Sequence, residues 1–225
     1  MIGVLDSGLG GVYTASLFRS MAMRADLLVL ADRRNLPYGK KSRDELYGIV
    51  KRNLERLRLE GADSILVACC TASSIYRELF PKDEGIVTAI GPAARRASDI
   101  TRGRIAVIAT DTTARSHAFS RAIAELSRAE VTEHPASELV TLIESGARDG
   151  ALSQMQKRKI KDIIKPALAS DPDTLLLGCT HFPLVEGFIR RIAPDINLVS
   201  SSREAAFAAR RAFGDSGAGR TIYTE

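Results

Sequence analysis

Long apolar runs are missing from this 225-residue chain. None approaches the roughly 20 residues needed to cross a bilayer, so no membrane partner is expected. No secretory leader is expected either: MIGVLDSG runs straight into what reads as a first strand, with no basic start, apolar block and cleavage site. Cysteine is scarce. Cys69, Cys70 and Cys179 make no disulfide framework, and the vicinal pair Cys69-Cys70 is not a CxxC redox motif. The thiols are expected to be reduced, which fits the cytoplasm. No glycine- or serine-rich linker divides the chain.

What is present is an ordinary globular balance, 45% hydrophobic and 26% charged. The length suffices for one large domain or two small ones with a real core. The net charge of +5 is mild, and Lys and Arg are spread out apart from short clusters such as Lys40-Lys41 and Lys157-Arg158-Lys159. That excess suits anions without choosing between a carboxylate metabolite and nucleic acid.

Short aliphatic runs alternate with helical patterns, the mark of βα units around parallel sheets. Strands are expected at Ile2–Leu5, Asp26–Ala31, Ser64–Ala68, Ile86–Ala89, Arg104–Ile108, Glu130–Glu133, Thr174–Leu177 and Asn197–Val199. Helices are expected at Asp44–Leu59, Arg115–Leu126, Ser153–Ala169 and Ser202–Phe213, with an edge strand at Thr221–Tyr223. One internal echo stands out. Ala62-Asp63-Ser64-Ile65-Leu66-Val67-Ala68-Cys69 matches Pro172-Asp173-Thr174-Leu175-Leu176-Leu177-Gly178-Cys179 in kind at every position, and Thr71 and Thr180 follow. Two copies of an acidic turn, buried strand and cysteine suggest two related α/β halves. The expected crossover is at Ile90-Gly91-Pro92, and the last segment is expected to return to the first half. This gives a discontinuous first domain of 1–90 plus about 201–225 and a second of 91–200.

In open α/β sheets, ligands bind beyond the carboxyl ends of the strands. Asp6-Ser7, Cys69-Cys70-Thr71, Thr110 and Cys179-Thr180-His181 all stand at such ends. The turn Asp6-Ser7-Gly8-Leu9-Gly10-Gly11 is no dinucleotide fingerprint, since Tyr13 stands where GxGxxG needs glycine, and no P-loop follows. It reads as a tight turn whose amides can also hold a carboxylate. A lone strand-end cysteine is ordinarily a small core hydrophobe. Two at matched positions suit proton abstraction beside a carboxylate, with a thiolate as base. His181 can orient Cys179, and Asp6 can do the same for Cys69. His117 and His134 read as ordinary helix and strand-end residues. Cys179-x-His181 lacks the paired CxxC or HxxxH of a structural zinc site, so no metal is expected.

These residues resemble bacterial glutamate racemase, of the aspartate/glutamate racemase superfamily. The resemblance rests on Asp6-Ser7-Gly8-x-Gly10-Gly11, Asp32 with Pro37-Tyr38-Gly39 and Ser42, Ala68-Cys69-x-Thr71-Ala72-Ser73, and Leu177-Gly178-Cys179-Thr180-His181-Phe182-Pro183-Leu184, in that order across most of the chain. It implies an α/β fold of two pseudo-symmetric domains, each a mostly parallel sheet flanked by helices, with the active site in the cleft between them. It implies cofactor-independent racemisation of a small acidic amino acid, glutamate, supplying D-glutamate for peptidoglycan. Cys69 and Cys179 would be the two bases, assisted by Asp6 and His181. Ser7, Pro37, Tyr38, Gly39, Cys70, Thr71, Thr113, Thr180 and Glu144 would contact substrate. The resemblance also implies a homodimer, with no requirement for nucleic acid.

The chain departs from the family where Cys70 replaces the usual asparagine: a thiol is a poor substitute for an amide's donors and acceptor. Val199-Ser200-Ser201 replaces an expected Ile-Asp-Ser, Glu133-His134-Pro135 stands where Cys-Pro is common, and the chain is short for the family. The alternatives are an aspartate or other amino-acid racemase, which Cys70 keeps open; a Cys179–His181 hydrolase, which leaves Cys69 unexplained; and a non-catalytic binding protein on the same scaffold, which leaves four matched polar groups without a purpose.

Overall fold

The computed structural model describes residues 1–79 and 85–224. Among the described residues, nine strands form two all-parallel sheets. The strands are β1 (Ile2–Asp6), β2 (Leu27–Ala31), β3 (Ser64–Val67), β4 (Ile86–Thr88), β5 (Arg104–Ala109), β6 (Glu130–Pro135), β7 (Thr174–Gly178), β8 (Asn197–Ser200) and β9 (Thr221–Thr224). The helices are α1 (Leu9–Met21), α2 (Arg43–Leu59), α3 (Cys70–Leu79), α4 (Ile90–Ile100), α5 (Asp111–Arg115), α6 (Ala118–Ala124), α7 (Ser137–Glu144), α8 (Gln154–Ala169), α9 (Glu186–Ile192) and α10 (Ser201–Phe213). The two longest begin where the sequence supplies a reciprocal cap, Ser42 with Glu45 for α2 and Ser153 with Gln156 for α8.

The two sheets have the same wiring. The first runs β4-β3-β1-β2-β9 and the second β6-β5-β7-β8. Written from the first strand of each half, both follow the order second, first, third, fourth, and β9 adds an edge beside β2. The chain therefore reverses direction across the sheet between β1 and β3, and again between β5 and β7. These are the topological switch points where α/β sheets open a crevice.

Alternation along the strands sorts the core into three layers. Ile2 and Val4 of β1, Ile105 and Val107 of β5, and Leu176 of β7 face a shared central layer with α1, α4, α6 and α10. Leu5, Ile65 and Val67 face outward onto α2 and α3. Ile108, Leu175 and Leu177 face outward onto α7, α8 and α9. In the central layer α4 packs on α6, α10 packs on α1, and α10 packs on α4 across the halves. Alanines 93, 94 and 97 of α4 and 205, 206 and 209 of α10 are buried there, which lets the helices approach closely.

The expected helix over Arg115–Leu126 is broken. α5 ends at Arg115, His117 adopts a left-handed conformation at φ 51°, and α6 starts at Ala118. Ser116 makes the corner: its hydroxyl donates to the Thr113 carbonyl and accepts from the Ala118 amide. His117 is thus a corner residue rather than a helix residue. The other expected elements are present with shifted ends, β6 running on to Pro135.

Candidate active site

At the first switch point β1 ends in Asp6 and β3 leads into Cys69. At the second, β5 leads into Thr110 and β7 into Cys179. The two crevices face each other and enclose one cavity. Cys69, Cys70 and Thr71 line it from the first half, and Cys179, Thr180 and His181 from the second. Ser7 and the Pro37-Tyr38-Gly39 strap complete the expected wall. Its free volume is small, about 20 Å³, room for roughly one water.

Cys69 sits just before α3, its carbonyl accepting from the Ser73 amide. Burial pushes its thiol far above the ordinary range, and the charge of Asp6 adds to that. The Ala72 and Thr71 amides at the start of α3 pull the other way. Asp6 is fully buried and lies behind the cavity. Its Oδ1 accepts from the Gly8 amide at 2.9 Å and its Oδ2 from the Thr180 hydroxyl at 3.0 Å. Burial raises its pKa against the opposing pull of His181 and these donors. The glycine-rich turn has a steric reason. A Cβ at Gly10 would overlap the Thr180 side chain, and one at Gly11 would overlap Asp6.

Cys179 has a different partner. Burial again raises its thiol strongly, with Cys70 the next cause, and the His181 amide opposes. His181 Nδ1 lies 3.8 Å from the Cys179 sulfur, and His181 Nε2 lies 2.6 Å from Glu144 Oε1. The Glu144 carboxyl is held below the usual range, mainly by that hydrogen bond. The same oxygen also accepts weakly from the Leu9 amide at 3.4 Å. Glu144 therefore lies behind His181 and outside the cavity wall, where the sequence reading placed it against substrate. A thiol, an imidazole and a carboxylate in line are what orients and discharges a base.

Three threonine hydroxyls close one side. Thr71, Thr110 and Thr113 lie 2.9 to 3.1 Å apart in a triangle. Thr71 and Thr110 reach the cavity, while Thr113 supports them from behind. On another side, Tyr38 donates to Asp32 at 2.7 Å, and Asn53 donates to both Asp32 and the Tyr38 oxygen. Those bonds hold the Asp32 carboxyl low despite its burial. They also fix the strap, whose Leu36-Pro37 peptide is cis. Cys70 lines the cavity, its sulfur donates to Ser201 Oγ at 3.3 Å, and burial pushes its thiol up to about 12.

Lys40, Val140 and Thr141 also line the cavity. Sequence reasoning passed over them, along with Asn53, and noted Ser201 only within Val199-Ser200-Ser201. Lys40 was visible only as half of a basic doublet, and nothing local marks Val140, Thr141 or Asn53, since their contacts are made by folding. All three cysteines are free and buried. Among the described residues no group of three or more His, Cys, Asp or Glu side chains is arranged to hold a metal ion. None of their helices is long and apolar enough to cross a membrane.

Two α/β halves of like strand order, each bringing a thiol to one cavity, are the setting of an isomerase of the racemase class. The family model described as Asp/Glu/Hydantoin racemase matches residues 15–209, and the chain belongs to that family. Its sequence relatives include glutamate racemases from Desulforudis audaxviator, 33% identical over 93% of this chain and 77% of the relative, and from Corynebacterium kroppenstedtii, 36% identical over 90% and 71%. Among solved structures, a glutamate racemase isoform from Bacillus anthracis superposes with a TM-score of 0.89 at 30% identity, covering 99% of this chain and 86% of that one. An aspartate racemase from Picrophilus torridus, 16% identical with a TM-score of 0.65 over 93% of this chain and 92% of that one, shares the fold.

Proposed function

We propose that the protein racemises glutamate with Cys69 and Cys179 as its two bases and without a cofactor. The observation that carries this reading is the pair of thiols lining one cavity from corresponding strand ends. A racemase has to reach both faces of a nearly planar carbanion, and a duplicated half-fold supplies two such groups. Cys69 as thiolate takes the α-proton from one enantiomer, and the electron pair it leaves is delocalised into the α-carboxylate. The Cys179 thiol then gives its proton to the opposite face. The reverse direction exchanges the roles.

Both thiols are raised by burial, so each needs a nearby acceptor to become a base. Asp6 is placed for this at Cys69, and His181 backed by Glu144 at Cys179. The threonine triangle, the Ser7 turn and Lys40 offer donors and positive charge for the substrate's carboxylates, and such preorganised donors stabilise charge as it develops. The small cavity has to widen to admit an amino acid, and we read the halves, 1–90 with about 201–225 and 91–200, as the bodies that separate. The names of the relatives support glutamate as the substrate. The reading extends to a cytoplasmic homodimer that supplies D-glutamate for peptidoglycan.

The test is α-proton exchange followed by NMR in heavy water, with each enantiomer of glutamate and of aspartate, on protein free of metal and pyridoxal phosphate. Exchange with inversion on glutamate is expected. Exchange on aspartate alone would move the substrate to the smaller acid, with Cys70 and its Ser201 bond as the first place to look. No exchange on any of the four would overturn the reading.

A further inference from the structure

Among the described residues the chain crosses between the two sheets twice, outward through α4 after β4 and back through α10 after β8. The two crossing helices pack on each other in the central layer. Each is also tied at its start to the first turn of α3. The Ala89 amide, just before α4, donates to the Ser73 hydroxyl at 3.2 Å, and that hydroxyl donates to the Val67 carbonyl of β3 at 3.1 Å. The Cys70 sulfur donates to the Ser201 hydroxyl, at the start of α10, at 3.3 Å. Ser73 and Cys70 stand three positions apart, on one face of α3. All four tied residues are buried.

The same turn carries a catalytic thiol. The Cys69 carbonyl accepts from the Ser73 amide at 2.8 Å, so the residue that holds the start of α4 also closes the turn behind Cys69. Thr71, between the two ties, reaches Thr110 and Thr113 of the opposite half. Cys179 is anchored differently, its turn being tied through Thr180 to Asp6 and through His181 to Glu144. A cleft of about 190 Å³ lies beside the Ser73 tie, lined by Ser73, Ile90 and Gly91 and, from the second half, by Ala118 and Ala122. That gap leaves the start of α4 room to shift, which a close-packed contact would not. A buried amide is costly to leave unpaired, so the turn follows the crossing helix rather than letting go of it.

We propose that the first turn of α3 couples the separation of the halves to the placement of Cys69, with Ser73 and Ser201 as positioning residues. The inference rests on the two-base reading and on the two halves as the moving bodies. As α4 and α10 swing on opening, the ties draw the turn with them and Cys69 withdraws from the α-carbon. Closure brings it back into reach. Cys179 stands outside this linkage.

The test compares the full chain with Ser73→Ala and Ser201→Ala, neither of which alters a residue of the cavity wall. Ser74→Ala is the control, because the Ser74 hydroxyl donates to the Thr71 carbonyl within its own helix. Exchange of the α-proton in heavy water is followed for both enantiomers of glutamate. Wash-out of the enantiomer that Cys69 deprotonates, the one that Cys179→Ser still exchanges, should slow about fivefold or more in Ser73→Ala and about threefold in Ser201→Ala. Wash-out of the other enantiomer should change by less than about twofold. Ser201→Ala gives up only a weak thiol bond, so it carries the test if Ser73→Ala does not fold. Equal slowing of both enantiomers, no slowing, or the same change in Ser74→Ala would overturn the coupling.

A second reading needs no turnover. Alkylation by N-ethylmaleimide, resolved by mass spectrometry, should speed up at Cys69 relative to Cys179 by about threefold in both variants, as a loosened turn opens locally. An unchanged ratio would overturn the coupling. If the parent exchanges neither enantiomer, the two-base reading falls, and the alkylation ratio decides the linkage by itself.

Discussion

The two half-sites occupy the same place in the same fold and are chemically unlike. Both thiols follow the third strand of a half, and both are raised by burial. Behind Cys69 stands a sealed carboxylate, Asp6, held by an amide and by a hydroxyl from the opposite half. Behind Cys179 stands a relay, His181 and then the half-exposed Glu144. The matched wiring puts a thiol at the same place in each half, while the groups behind the two thiols differ. The halves are also interlocked: Thr180, next to one thiol, supports the carboxylate of the other, and Gly10 is glycine so that Thr180 can approach.

The sharpest way to break the comparison is to remove one thiol at a time. Cys69→Ser and Cys179→Ser are each expected to lower racemisation by about 10³–10⁴-fold, the scale of a lost acid–base group. Each variant should still wash the α-proton out of one enantiomer, and the two should choose opposite enantiomers. NMR exchange rates for both enantiomers read this directly. Wash-out of the same enantiomer by both variants would refute opposed faces.

Next come the partners. Asp6→Asn and His181→Gln are each expected to cost about 10²-fold or more in kcat, with the thiols intact. Enantiomers have equal free energy, so kcat/KM has to remain equal in the two directions whatever is mutated. The asymmetry between the half-sites can appear only in kcat and KM taken separately, and in exchange. Asp6→Asn should slow wash-out of the enantiomer served by Cys69, and His181→Gln that of the other. Indistinguishable profiles would mean that the two partners serve both thiols jointly.

Much of this site was legible before folding, for identifiable reasons. Continuous apolar runs such as Ile65-Leu66-Val67 and Leu175-Leu176-Leu177 mark strands buried on both faces, and the residue after such a strand falls at the crevice by topology alone. That placed Asp6, Cys69, Thr110 and Cys179. What failed was contact across long separations. Nothing near Asn53 says that it supports Tyr38, and nothing near Glu144 says that it pairs with His181, 37 positions away. The Arg115–Leu126 helix failed for a local reason: Ser116 as a cap competes with helix continuation, and helical periodicity ignores it.

A smaller effect is expected from Glu144→Gln, about tenfold in kcat, since an amide can still hydrogen-bond His181 but carries no charge to stabilise an imidazolium. KM should change little, because Glu144 does not line the cavity. A rise in KM with kcat unchanged would return Glu144 to the substrate-binding role expected from the sequence.

The smallest effect separates the half-sites by the sign of their pH linkage. Asp6 is raised by burial, so the native state holds its proton more tightly than the unfolded chain does. Its contribution to stability is present at low pH and is lost as pH rises from the ordinary aspartate range toward the raised native value. Glu144 is lowered by His181, so its contribution is present above the ordinary glutamate range and lost as pH falls through the depressed value. At neutral pH, Asp6→Asn should therefore raise the melting temperature and Glu144→Gln should lower it, by about 2–4 °C for each kcal/mol in a chain of this size. Below about pH 4 both differences should shrink, because the parent carboxyls are then becoming neutral too. Thermal melts of the three proteins between pH 4 and 8 read both signs. Destabilisation by Asp6→Asn at neutral pH would mean that the bonds from Gly8 and Thr180 outweigh the burial of the charge. Asp6 would then hold the halves together rather than be a group the fold strains to keep for catalysis.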